Sequence, residues 1–157
     1  MIISHKSAFI RACLLLIPFF LFLSSCSSDD PDVIAERDRQ KILQYIADNE
    51  LEAQEHPTGI FYVIRREGSG AHPKENSTVK LTYTGYLLNG DLFDYAQEAN
   101  MNLQGVIAGF RDGIMQFKRG GEGLVLIPSG LGYGEYARHN IPRNSVLIFE
   151  VEIIDFY

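Results

Sequence analysis

The sequence predicts an α+β protein built on an antiparallel sheet. Three observations carry this. Several segments between residues 60 and 156 have a two-residue hydrophobic period. One short stretch with helical spacing, 106–117, lies among them. Strands and helices do not alternate as repeated βαβ units would require. At 157 residues, 46% hydrophobic and 22% charged, the composition suits one globular domain.

The elements follow in chain order. Residues 26–31 read as a polar tether. Residues 32–56 read as a helix and its break. No Gly or Pro occurs from Asp32 to Glu55, and Asp29, Asp30 and Asp32 sit where the helix dipole favours negative charge. Ile42, Leu43 and Ile46 form one apolar face, whereas Glu36, Arg37, Asp38, Arg39 and Lys41 make the first part polar all round. Such a helix is expected to act as a spacer or to pack on a partner subunit, so a homodimer through residues 32–55 is one expectation. His56-Pro57-Thr58-Gly59 ends it, and the main domain is expected over 57–157.

Ile60 to Arg65 alternates, and Gly68 to Asn76 reads as a loop. Val79, Leu81, Tyr83, Gly85 and Leu87 alternate with Lys80, Thr82, Thr84 and Tyr86, a half-buried strand. Asn89-Gly90-Asp91 is a turn, followed by a short Leu92-Phe93-Asp94 strand. Ile107, Phe110, Ile114 and Phe117 share one helical face, and Gly120-Gly121 ends that element. Leu124 to Ile127 is a short buried strand closed by Pro128. Ser129 to Asn144 is a glycine-rich loop, and Ser145 to Phe156 is the last strand.

The first 25 residues read as a targeting segment. Lys6 and Arg11 precede an unbroken apolar run from Ala12 to Leu23, too short to span a bilayer comfortably. Leu23-Ser24-Ser25-Cys26 then resembles a bacterial lipobox, in which the cysteine becomes the lipidated mature N-terminus. The implied location is a bacterial membrane, outside the cytoplasm, on the periplasmic side or at the cell surface. The bilayer would be a partner through Cys26, with more than one acyl chain giving stable anchoring. Removing residues 1–25 leaves 132 residues with 12 Lys+Arg against 20 Asp+Glu. A net charge of −8 argues against nucleic acid as a partner.

The inventory of reactive groups excludes several chemistries. Cys13 lies in the apolar run and Cys26 is the lipidation candidate, so no internal disulfide framework is expected. His56, His72 and His139 fall in predicted loops without metal-ligand spacing, so no metal site and no cofactor is expected. Ser129 stands in Pro-Ser-Gly, without the nucleophile-elbow pattern. Gly130-x-Gly132-x-Gly134 does not match the dinucleotide fingerprint. What remains is a set of aromatics, Tyr83, Phe93, Phe110, Tyr133 and Phe149, with Asp94 among them. Each aromatic alone reads as ordinary core.

Their motifs, taken in order, resemble a known family. Tyr83-Thr84-Gly85, Gly90-Asp91-Leu92-Phe93-Asp94, Val106-Ile107-Ala108-Gly109-Phe110, Gly132-Tyr133-Gly134, Ile141-Pro142 and Leu147-Ile148-Phe149-Glu150-Val151-Glu152 are similar to the successive motifs of FKBP-type peptidyl-prolyl cis–trans isomerases. The resemblance covers residues 79–157, and 60–70 resembles the strand that leads in. It implies five or six antiparallel strands curled around one short helix, preceded here by the lipoprotein signal and the N-terminal helix. It also implies rotation of X–Pro bonds in exported polypeptides as a folding catalyst, with rapamycin-type macrolides as further ligands. A lipid-anchored chaperone or binding module using the same pocket is the alternative.

By carry-over, the proline ring would sit on Phe110, between walls of Tyr83, Phe93, Val106, Ile107 and Phe149, with Ile141 from the closing loop. The Ile107 N–H and the Tyr133 hydroxyl would hold substrate carbonyls. Asp94 would be a buried carboxylate that orients the loops or faces the amide. No matched motif lies in residues 32–55, which makes the helix read as dispensable for chemistry. Three departures from the family pattern stand out. Phe110 replaces a commoner Trp, the 95–105 segment is short with Ala99, Met101 and Leu103 where larger relatives carry Phe, and Arg143 follows Pro142.

Overall fold

The computed structural model describes residues 30–157. The signal segment, Cys26 and most of the tether lie outside the described residues. The described chain forms helix α1 (Pro31–Asp48), strands β1 (Gln54–Glu55), β2 (Phe61–Arg66), β3 (Thr78–Leu87) and β4 (Leu92–Asn102), helix α2 (Ala108–Ile114), and strands β5 (Glu122–Ile127) and β6 (Leu147–Phe156). Short 3-10 turns occupy Leu103–Gly105 and Ser129–Leu131. The strands make one six-stranded sheet in the order β1-β2-β5-β6-β3-β4, with every pairing antiparallel. This is the α+β architecture expected, at six strands.

Alternation along the strands divides the interior in two. On one face, Val79, Leu81 and Tyr83 of β3, Val125 and Ile127 of β5, and Phe149, Val151 and Ile153 of β6 pack with Phe110 and Ile114 of α2. The helix lies close because two of its residues lack side chains. A Cβ at Gly109 would stand 2.2 Å from Ile127, and one at Gly113 would stand 2.3 Å from Val125. On the other face, Phe61 and Val63 of β2, Leu124 and Leu126 of β5, and Ile148 of β6 pack with Ile42 of α1. β5 is therefore buried on both sides, which is why it reads as a continuous apolar run rather than an alternating one.

Helix α1 differs from expectation in two ways. Its start follows the capping rules: Asp30 accepts from the Asp32 N–H at 2.9 Å, and Pro31 opens the first turn. Its end comes at Asp48, well before Glu55. Asn49 donates its side-chain amide to the Tyr45 carbonyl, Glu50 takes φ +52°, and the Leu51 N–H turns back to the Ile46 carbonyl. This is a left-handed C-terminal stop made without glycine. It frees Leu51 and Ala53 to join the α1 side of the sheet and lets Gln54–Glu55 pair with β2. The second difference is packing. Ile42 is 0% exposed against the chain's own sheet, so α1 is docked rather than a free spacer. Arg39 forks onto Glu55 at 2.9 and 3.1 Å and ties the helix to β1.

Two further boundaries need correction. The short strand at Leu92–Asp94 continues to Asn102, so residues 95–102, given no element in the sequence, belong to an edge strand. A bulge interrupts its pairing. Leu81 faces Ala99 but Tyr83 faces Ala96, and Glu98 has φ +51°. Helix α2 covers only 108–114. Val106 and Ile107 lead into it in extended geometry, and Phe117 lies beyond its end but remains buried.

Candidate active site

Strand pairing fixes the site. Gly85 of β3 pairs with Asp94 of β4 on one side and with Phe149 of β6 on the other. Two residues earlier on the same face stands Tyr83. A Cβ at Gly85 would lie 2.6 Å from the Phe93 ring and 3.1 Å from Phe149, so the missing side chain makes room for both rings. Phe110 of α2 meets them from the other layer. Its ring centroid lies 4.7 Å from that of Phe149 and 5.6 Å from that of Tyr83. Phe93 meets Phe149 edge-on at 5.4 Å. Tilted and edge-on rings are the arrangement their quadrupoles favour.

The result is a cup of about 430 Å³. Tyr83, Val106, Ile107, Phe110 and Phe149 line it, with Asp94 and Tyr133. Phe110 is only 3% exposed, because most of the ring is packed below the opening. The Ile107 carbonyl takes the N–H groups of Phe110 and Arg111, while the Ile107 N–H has no protein partner among the described residues. The Tyr133 hydroxyl is likewise unpartnered among them. Among the described residues, no three His, Cys, Asp or Glu side chains gather as metal ligands would.

Residues 69–154 match the FKBP-type peptidyl-prolyl cis-trans isomerase family. The chain belongs to that family. It is 34% identical to the FKBP-type peptidyl-prolyl cis-trans isomerase FkpA of Escherichia coli K12, over 69% of this chain and 47% of that protein. A probable FKBP-type isomerase of Haemophilus influenzae is 42% identical over 62% of this chain and 43% of its own length. The chain thus spans about half the length of the curated relatives it matches. Among solved structures, Escherichia coli FkpA aligns with a TM-score of 0.69 and 30% identity, covering 80% of this chain and 61% of that one. A peptidyl-prolyl isomerase of Pseudomonas syringae aligns at 0.70 and 26%, covering 80% and 94%.

Two expected FKBP site residues sit slightly apart. Phe93 and Ile141 line a smaller depression of about 180 Å³ that shares Asp94, Tyr133 and Arg138 with the cup. Asp94 is exposed, not buried as the family resemblance implied. It stands on β4, which among the described residues is the last strand of the sheet with no neighbour on one side, and its Oδ2 accepts the Tyr83 hydroxyl at 2.9 Å. Two lining residues went unread in the sequence, Gly105 and Arg138, and Met101 was read only as standing where larger relatives carry Phe. Met101 belongs to the unrecognised half of β4. Arg138 exchanges backbone hydrogen bonds with Ile141 and stacks over the Tyr133 ring at 5.2 Å. No local sequence signal marks that loop geometry.

Tyr83 carries the one strongly displaced titration in the cup. Burial, then the hydrogen bond to Asp94 and its charge, push the phenol from its ordinary 10 up to about 12. A raised phenol favours the neutral form in the fold. That contribution to stability is complete below pH 10 and is lost as the pH rises through about 12. In an ultraviolet titration one tyrosine should ionise late, and Tyr83→Phe should remove that late step. A Tyr83→Phe protein that keeps it would place the displaced phenol elsewhere.

Proposed function

We propose that this protein rotates X–Pro bonds in exported polypeptides, as a peptidyl-prolyl isomerase held to a bacterial membrane by lipidated Cys26. The observation that carries the isomerase reading is the aromatic cup over Phe110 with two donors, the Ile107 N–H and the Tyr133 hydroxyl, that have no partner among the described residues. The barrier to X–Pro rotation comes from amide resonance, and uncatalysed exchange takes tens of seconds or more. Twisting the bond breaks resonance and leaves a less polar carbonyl–nitrogen unit. A cup walled by Tyr83, Phe149 and Val106 holds the proline ring dry over Phe110. The two donors hold the flanking carbonyls while the bond turns. Stabilisation is thus greater in the twisted state than in the planar one, and no nucleophile takes part.

Rapamycin-type macrolides are proposed as competitors for the same cup. The motive for a homodimer through residues 32–55 is weakened, because the apolar face of α1 is covered by the chain's own sheet.

One preparation from membranes tests the reading. It should accelerate isomerisation of a short proline peptide, and its mature N-terminal fragment should carry the mass of an acylated Cys26. A protein that binds the peptide without accelerating it would favour the binding-module alternative. An unmodified or uncleaved N-terminus would remove the anchor.

A further inference from the structure

Helix α1 supplies no side chain to the cup, yet it holds the loop that does. Asp38, in the middle of α1, is 0% exposed. Burying a carboxylate is costly unless donors or charges compensate it. Here the compensation comes largely from one residue. Asp38 Oδ2 accepts both the backbone N–H of Ser129, at 3.0 Å, and the Ser129 hydroxyl. Among the described residues, Asp38 Oδ1 makes no hydrogen bond and has only the more distant charges of Arg37 and Lys41, at 3.5 and 3.7 Å.

Ser129 is the anchor of the Tyr133 loop. Its carbonyl takes the N–H of Gly132 at 3.0 Å and that of Gly134 at 2.8 Å, the two residues that flank Tyr133. Gly134 in turn accepts the Asn144 N–H at 2.7 Å, which closes the far end of the loop. Gly134 has φ +58°, so the backbone turns sharply just after Tyr133. A continuous set of hydrogen bonds therefore runs from a buried carboxylate on α1, through both polar ends of Ser129, to the residues on either side of the Tyr133 hydroxyl's own backbone.

We propose that Asp38 is a positioning residue for the isomerase site: through Ser129 it fixes the loop that presents Tyr133 to the cup. This rests on the reading of the cup as an isomerase site. It gives α1, which lies outside the family match at 69–154, a part in the chemistry at a distance. The choice of residue follows from the geometry. One oxygen must accept two donors at once, and a carboxylate is the strongest acceptor available for that task.

The test uses the full processed protein and four variants: Asp38→Ala, Asp38→Asn, Tyr133→Phe, and Asp38→Ala combined with Tyr133→Phe. All are compared where circular dichroism finds them folded. Asp38→Ala should lower kcat/KM on a proline peptide about tenfold, the scale of coupling within one hydrogen-bond network. Asp38→Asn should restore most of the loss, because the Ser129 contacts use only one oxygen. In the Tyr133→Phe background Asp38→Ala should change little more. Full additivity of the two losses, or unchanged activity in Asp38→Ala, would overturn the proposal. If Asp38→Ala does not fold, Ser129→Ala removes the hydroxyl arm alone and should still couple to Tyr133→Phe. Hydrogen exchange at the Gly134 amide separates this idea from the isomerase reading. It should quicken in Asp38→Ala whether or not the parent isomerises peptides, and unchanged exchange would break the link. An inactive parent would instead refute the isomerase assignment.

Discussion

Phe110→Ala is expected to reduce kcat/KM on proline peptides about a hundredfold, roughly 2.7 kcal/mol in the barrier. The ring sits at the meeting point of Tyr83 and Phe149 and lines the cup from the helix side. An alanine leaves the proline ring without its supporting surface and admits water to a site whose advantage is dryness. The same ring is packed into the main core, so truncation also costs about 3–5 kcal/mol of stability. The two effects separate by measurement. Urea unfolding gives the stability loss, and activity is then read where the variant is fully folded. Activity equal to the parent's in that folded variant would make Phe110 ordinary core and move the active site elsewhere. Phe110→Trp is the converse case. A larger indole adds apolar area, and it should lower KM if the ring fits between Phe149 and Tyr83.

The parts of the molecule that were legible in the sequence are those that burial writes into it. β3 alternates strictly because one face is core and the other is not. The aromatic members of the cup could be gathered from distant positions because each lies in a motif, and the motifs come in a fixed order. β4 beyond Asp94 was not legible for a physical reason. It is an edge strand held by backbone pairing with β3, most of its side chains are exposed, and its bulge breaks the period. Exposed pairing leaves no hydrophobic rhythm to read. The stop of α1 was hidden differently. Asn49 and Glu50 perform a task usually given to glycine, and a search for Gly or Pro passes over them. The Asp38–Ser129 contact joins residues 91 apart, and Asp38 sits within a run of charges that reads as solvated surface. Only the docking of α1 reveals that one of those charges points inward.

That docking leads to the second large effect, and it reverses what the motif pattern alone suggested. A chain beginning at Thr58 keeps every matched motif, and by motif alone residues 32–55 read as dispensable for chemistry. Such a chain loses Ile42, Leu43, Ile46, Leu51 and Ala53, and with them the cover over Phe61, Val63, Leu124, Leu126 and Ile148. It also loses β1, which leaves β2 as a bare edge. Each large side chain returned to water costs about 1.5–3 kcal/mol, against a total domain stability of roughly 5–15 kcal/mol. The truncated chain should therefore show no cooperative unfolding transition, or aggregate. Ile42→Ala in the full chain is the graded version. It should lower stability by about 2–5 kcal/mol and leave peptide isomerisation by the folded protein near the parent rate, because Ile42 touches only the face opposite the cup. Calorimetry decides the matter. A truncated chain that melts as cooperatively and at the same temperature as the full one would mean that α1 rests on the sheet without contributing to its stability.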